Sequence, residues 1–157
     1  LESVQRRRKG EVMWQSEWKT DYEIGHPRLD FEHRIFLNLI LEIEADLAKE
    51  KPIETIQRRL TEIYKYADFH FFSEESIMFE FNYPEIERHQ KIHQQLLDEM
   101  RNYITSISID LIRKNDLVCF LVHWFIHHTA IEDLKLALFV RAANEHAQEM
   151  SSSESGG

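Results

Sequence analysis

The 157 residues carry a formal net charge of −9, with 43% hydrophobic and 30% charged side chains, four glycines, three prolines and a single cysteine, Cys119. That length builds one domain with a real core, the acidity excludes the basic face that a nucleic acid needs, and one thiol excludes an intrachain disulfide framework and a thiolate zinc cage. No apolar run approaches the roughly 20 residues of a membrane span, so neither nucleic acid nor bilayer is an expected partner, and a reducing cytoplasm is the expected setting.

So few helix breakers favour an all-α chain, and Pro27, Pro52 and Pro84 fall at the junctions between periodic segments. The expected fold is an antiparallel up-down four-helix bundle with an irregular N-terminal arm. Residues 1–12, with Arg6, Arg7, Arg8 and Lys9, read as a polar basic linker. Residues 13–147 read as the bundle. Its arm, residues 13–25, would be anchored by Trp14 and Trp18.

The first helix is expected from Pro27–Asp30 to about Lys49, with Leu29, His33, Phe36, Leu37, Ile40, Ile43 and Leu47 on one stripe. The second opens after Pro52 and places Ile56, Leu60, Ile63, Ala67, His70, Glu74 and Ile77 inward. Asn82-Tyr83-Pro84 stops it and turns the chain back. The third runs to about Ser106 with Ile86, His89, His93, Leu96, Met100 and Tyr103 inward, and the fourth starts near Asp110 with Leu117, Leu121, Trp124 and His128 inward. Asp133 lies five residues beyond His128, about 140° round a regular helix. For both to aim at one point, a local π-bulge is expected, or an approach from the helix flank. Leu134–Ala147 reads as helical, and residues 148–157, rich in Ser and Gly, as a flexible tail. The chain has the look of a piece of a longer protein.

Five imidazoles (His33, His70, His89, His93 and His128) and two carboxylates (Glu74 and Asp133) therefore converge from four helices. A lone histidine on an apolar face is usually a hydrogen-bonded core residue. Seven such groups buried without a cation would each cost several kcal/mol in desolvation. Imidazole with carboxylate and no thiolate suits iron, manganese or zinc, and seven donors are too many for one tetrahedral ion. Two bridging carboxylates, five imidazoles and one bridging solvent oxygen would fill two octahedra except for one position, on whichever ion holds two histidines.

Taken in order, Ile24-Gly25 with Asp30-Phe31-Glu32-His33, His70-Phe71-Phe72-Ser73-Glu74-Glu75 with Met78, the pair His89 and His93, and Trp124-Phe125-Ile126-His127-His128 with Asp133 resemble the hemerythrin family in its bacterial branch, over about residues 14–139. The resemblance implies a non-haem di-iron centre, oxo- or hydroxo-bridged, that binds dioxygen. It also implies that His89, His93 and His128 hold one iron, that His33 and His70 hold the other, and that Glu74 and Asp133 bridge them. Dioxygen would bind at the iron with two histidines. The family spacing selects His128 over His127. Phe125, Thr129 and Ile92 are the expected lining of the ligand pocket. The residue after the last ligand histidine is usually isoleucine in the family and is Thr129 here. Its hydroxyl either bonds the carbonyl a turn back or admits water to the pocket and shortens the life of the oxygenated form.

His26 and His146 are expected to be exposed, Glu75 to be an outer partner of the site or a surface residue, Met78 and Met100 to be core, and Cys119 to be a small packer in an apolar run. The functional reading is an oxygen- or redox-sensing domain, itself not an enzyme, fused to a signalling output. The alternatives are a free-standing oxygen carrier or store, a di-iron oxidase or peroxidase, and an iron- or nitric-oxide-handling protein.

Overall fold

The computed structural model describes residues 22–106 and 114–154; the arm with Trp14 and Trp18, the basic run and the start of the fourth helix near Asp110 lie outside them. Among the described residues there are five helices: α1 (Pro27–Ala48), α2 (Ile53–Glu80), α3 (Ile86–Ser106), α4 (Lys114–His127) and α5 (Leu134–Glu154). A π-helical turn, His128–Asp133, joins α4 to α5 without a break, so the last two helices form one rod. The four rods pack as an antiparallel bundle, and among the described residues there is no strand.

The sequence explains where each rod begins and ends. Pro27 opens α1 with its φ already helical, and His26 caps it, Nδ1 accepting from the Leu29 N–H at 3.4 Å. His26 is thus a half-buried cap instead of the exposed residue expected. The Asp30 carboxylate reaches back to the N–H groups of Ile24 (2.8 Å) and Gly25 (3.1 Å), and Gly25 takes φ 84°, a region open to glycine. Helix α2 closes on Asn82 at φ 50°, with Tyr83 N–H bonded to Met78 C=O at 2.8 Å and Asn82 N–H to Phe79 C=O at 3.2 Å. These paired bonds satisfy the last carbonyls while the chain reverses. Helix α1 closes the same way on Glu50 at φ 51°, with Lys51 N–H on Asp46 C=O at 3.0 Å.

Two apolar clusters fill the bundle. The larger includes Phe36, Ile40, Ile63, Ala67, Phe71, Leu97, Leu121, Trp124 and Phe125. The smaller holds Ile24, Leu29, Ile77, Met78, Tyr83, Leu136, Ala137 and Val140. On every rod the polar residues singled out above fall between them: His33 between Leu29 and Phe36, Glu74 between Phe71 and Ile77, Asp133 between Phe125 and Leu136. The polar layer is dry on both sides.

Two expectations need correction. Cys119 is exposed, because the buried stripe of α4 passes through Leu117, Val118, Leu121 and Val122 and leaves position 119 on the outer face. Residues 148–154, expected to be tail, continue α5, with the Ser151, Ser152 and Ser153 hydroxyls bonded to carbonyls three or four residues back. Such local bonds satisfy short polar side chains on a solvated helix. Met78 and Met100 are core, as expected.

Candidate metal centre

Each rod delivers its donors through its own periodicity. Helix α1 supplies His33. Helix α2 supplies His70 and Glu74, one turn apart, with Nε2 and Oε1 at 2.7 Å. Helix α3 supplies His89 and His93, also one turn apart, with ring centroids 4.5 Å from each other. The fourth rod supplies His128 and Asp133. In a π turn the hydrogen bonds run i to i+5, so a step of five residues comes closer to a full turn than in an α-helix and brings these two side chains together, as expected from their spacing. All seven are at most 4% exposed.

The two carboxylates divide their oxygens between two sets of histidines. Glu74 Oε1 faces His70 (2.7 Å) and His33 (3.8 Å), whereas Oε2 faces His93 (3.1 Å), His89 (3.2 Å) and His128 (4.0 Å). Asp133 repeats the division, Oδ2 toward His33 (3.2 Å) and Oδ1 toward His128 (3.1 Å) and His89 (3.5 Å). Two four-donor groups result, His33-His70-Glu74-Asp133 and Glu74-His89-His93-His128, the donor atoms of each within 4.8 Å of one another.

These donors fit metal better than they fit each other. His33 Nε2, Glu74 Oε1 and both Asp133 oxygens are buried without a hydrogen-bond partner, which a protein otherwise avoids. The Nε2 atoms of His93 and His128 face each other at 3.2 Å. Two neutral imidazole nitrogens, both with lone pairs inward, tolerate that approach only with a proton or a cation between them.

Outside the donors, carboxylates and rings fix the imidazoles. Glu32 is buried, and its Oε2 accepts from His70 Nδ1–H at 2.8 Å, while Oε1 accepts from Ser73 Oγ (2.9 Å) and Arg28 Nε (3.1 Å). Glu75 accepts from His93 Nδ1–H at 2.8 Å and from Gln90 at 3.0 Å, the outer partnership expected of it. Phe71 stacks on His93 at 4.0 Å, Trp124 lies over His128 at 5.8 Å, and Phe125 meets His33 edge-on at 5.9 Å. Of the pocket residues expected, Phe125 and Thr129 are buried and Ile92 is half-buried. His123, His127 and His146 are exposed.

Charge in the cluster is set by proximity. Burial would lower the pKa of His70, but the Glu74 charge close beside it and the bond to Glu32 outweigh it and hold it up at about 10. His89 is raised to about 9 against the same burial by Asp133 and Glu74. Burial pushes Glu74 upward, yet His70, His33 and His89 hold it well below the usual carboxylate range. Asp133 also lies far below that range, since His128 and His33 overcome both burial and the Glu74 charge.

The family model for the hemerythrin HHE cation-binding domain matches residues 25–140. The chain belongs to the hemerythrin family. Among relatives of this hemerythrin-like chain, a bacteriohemerythrin of Clostridium acetobutylicum is 26% identical over 124 residues, covering 74% of this chain and 94% of its own length. A bacteriohemerythrin of Stenotrophomonas maltophilia is 25% identical over 134 residues, 84% of this chain and 86% of its own. The myohemerythrin of Theromyzon tessulatum is 22% identical over 119 residues, 76% and 88%. The two donor groups are consistent with the binuclear metal site of a hemerythrin.

Sequence reading missed Glu32 and Glu132 as buried partners. Glu32 was visible only as the neighbour of His33 and the i+4 partner of Arg28. Glu132, beside Asp133, is also buried and pairs with Arg88.

Proposed function

We propose that this domain binds dioxygen reversibly at a di-iron centre, with His89, His93 and His128 on one iron, His33 and His70 on the other, and Glu74 and Asp133 bridging. The observation that carries this reading is that each carboxylate turns one oxygen to the His33–His70 side and the other to the side of His89, His93 and His128. When bound, the iron pair would supply the electrons that make dioxygen binding reversible. The chain's own part is to hold and exclude. Glu32 and Glu75 each accept a hydrogen bond from the Nδ1–H of an imidazole of the cluster and so direct its Nε2 inward. Phe125 walls the His33 side, and the flanking apolar clusters keep water and reductants out.

A histidine-rich donor set favours a reversible adduct over the oxidations run by carboxylate-rich bundles, so the domain is read as a binding module and not an enzyme. Its use is read as oxygen or redox sensing within a signalling protein. Support comes from α5, which continues past the last buried residue, Val140, as a solvated helix suited to joining another body. The test is metal content with ultraviolet-visible spectra of the reduced protein before and after air. Expected are about two irons per chain and charge-transfer bands that appear in air and fade on evacuation; an iron-free protein, or bands that never reverse, would refute it.

A further inference from the structure

Arg88 stands on α3 immediately before His89, and Glu132 stands in the π turn immediately before Asp133. Their side chains meet fork to fork, Nη1 on Oε2 at 2.6 Å and Nη2 on Oε1 at 2.9 Å. Glu132 is buried and Arg88 half in solvent, so the pair lies across the seam between the two rods with one face dry. Lys135 Nζ lies 3.4 Å from Glu132 Oε1, and Glu85 Oε2 lies 3.2 Å from Arg88 Nη1, extending the pair into a four-membered network. Directly inside it, His89 and His128 approach Asp133 Oδ1 at 3.5 and 3.1 Å. Bidentate guanidinium–carboxylate pairs fix orientation as well as distance. A π turn has looser main-chain bonding than the α-helix on either side, so its geometry here depends on what holds it from outside.

We propose that Arg88 and Glu132 form a latch: they are positioning residues that hold the π turn against α3 and control how fast metal leaves the Asp133 edge of the site. This rests on the di-iron reading above. It assigns to an ion pair outside the donor set a role in exchange, beyond its share in stability.

The test uses the full chain loaded with ferrous iron under anaerobic conditions and an excess of a ferrous chelator. Release is compared in R88Q, E132Q, R88K and the double variant R88Q/E132Q, with R101Q, which breaks an exposed α3 pair far from the site, as control. Losing an outer partner of a metal site typically costs 10- to 100-fold, so R88Q and E132Q should each release iron about tenfold faster. The double variant should be no faster than either single one, because both remove the same latch. R88K keeps the charge without the fork and should fall between. Without metal, the same variants should exchange amide protons faster within residues 128–134 while their urea midpoints change little. Release within twofold of wild type, additive effects in the double variant, or rates that simply follow lost global stability would each overturn the latch. A wild-type chain that binds no iron overturns the di-iron reading itself, which separates the two failures.

Discussion

Replacing Glu32 with alanine tests how far the outer carboxylates govern the site. The substitution removes the acceptor of His70 Nδ1–H (2.8 Å) and strands that donor at a position 2% exposed. An unpaired buried donor costs about 1–3 kcal/mol, and loss of an orienting partner weakens a metal site about 10- to 100-fold, equivalent to about 1.4–2.8 kcal/mol. Among the described residues the Glu32 carboxylate bonds one histidine, His70, and the Glu75 carboxylate bonds one, His93. On the proposed assignment, the loss should therefore be confined to an iron held by His70 and His33, and E75A should weaken the other. Glu32→Gln keeps one oxygen for His70 and should sit at the mild end of the range. The assay is anaerobic competition against a ferrous chelator of known affinity, with urea unfolding of the metal-free protein in parallel. One weakened and one unchanged iron is the expected result. If E32A leaves both irons within twofold of wild type, or weakens them equally, the outer carboxylates are not acting through individual imidazoles.

In the metal-free protein His70 and His89 hold protons up to about 10 and about 9, against the ordinary imidazole value of 6.5. Raised imidazole values stabilise the fold fully below pH 6.5 and lose that contribution as the pH climbs through 9 and 10. Urea midpoints of the metal-free chain should fall from pH 6 toward 10 by this reckoning, and iron loading, which replaces those protons, should flatten the fall. Glu50 pays for φ 51° with a side chain, so E50G should stabilise the fold by about 1 kcal/mol in urea unfolding; N82G should gain less, since Asn tolerates that region. T129I restores an apolar wall beside His128 and should slow decay of the oxygenated form in air several-fold; an unchanged rate removes Thr129 from the pocket's water path.

The buried cluster was legible because its members obey helix periodicity and are still polar, a combination the core does not otherwise use. The five-residue step from His128 to Asp133 called for a π-bulge or an approach from the helix flank, and the chain takes the π turn. Phe71 and Phe72 show what periodicity separates: the first stacks on His93, and the second, one residue on, is 71% exposed. The outer partners were not legible. Glu32 and Glu132 sit one residue before a donor, pointing sideways into a neighbouring rod, and the partner of Glu132 is 44 positions away. Charged side chains carry no periodic signature until the packing of the rods is known. Cys119 misled because a short apolar run does not reveal which of its residues looks outward.

From Lys114 to Glu154 one rod runs through the π turn without interruption, and beyond Val140 nearly all of it stands in solvent. A twist applied at that free length arrives at the single turn that carries both His128 and Asp133. By linkage, if one heading of the stem favours one geometry of that turn, whatever holds that geometry favours that heading in return.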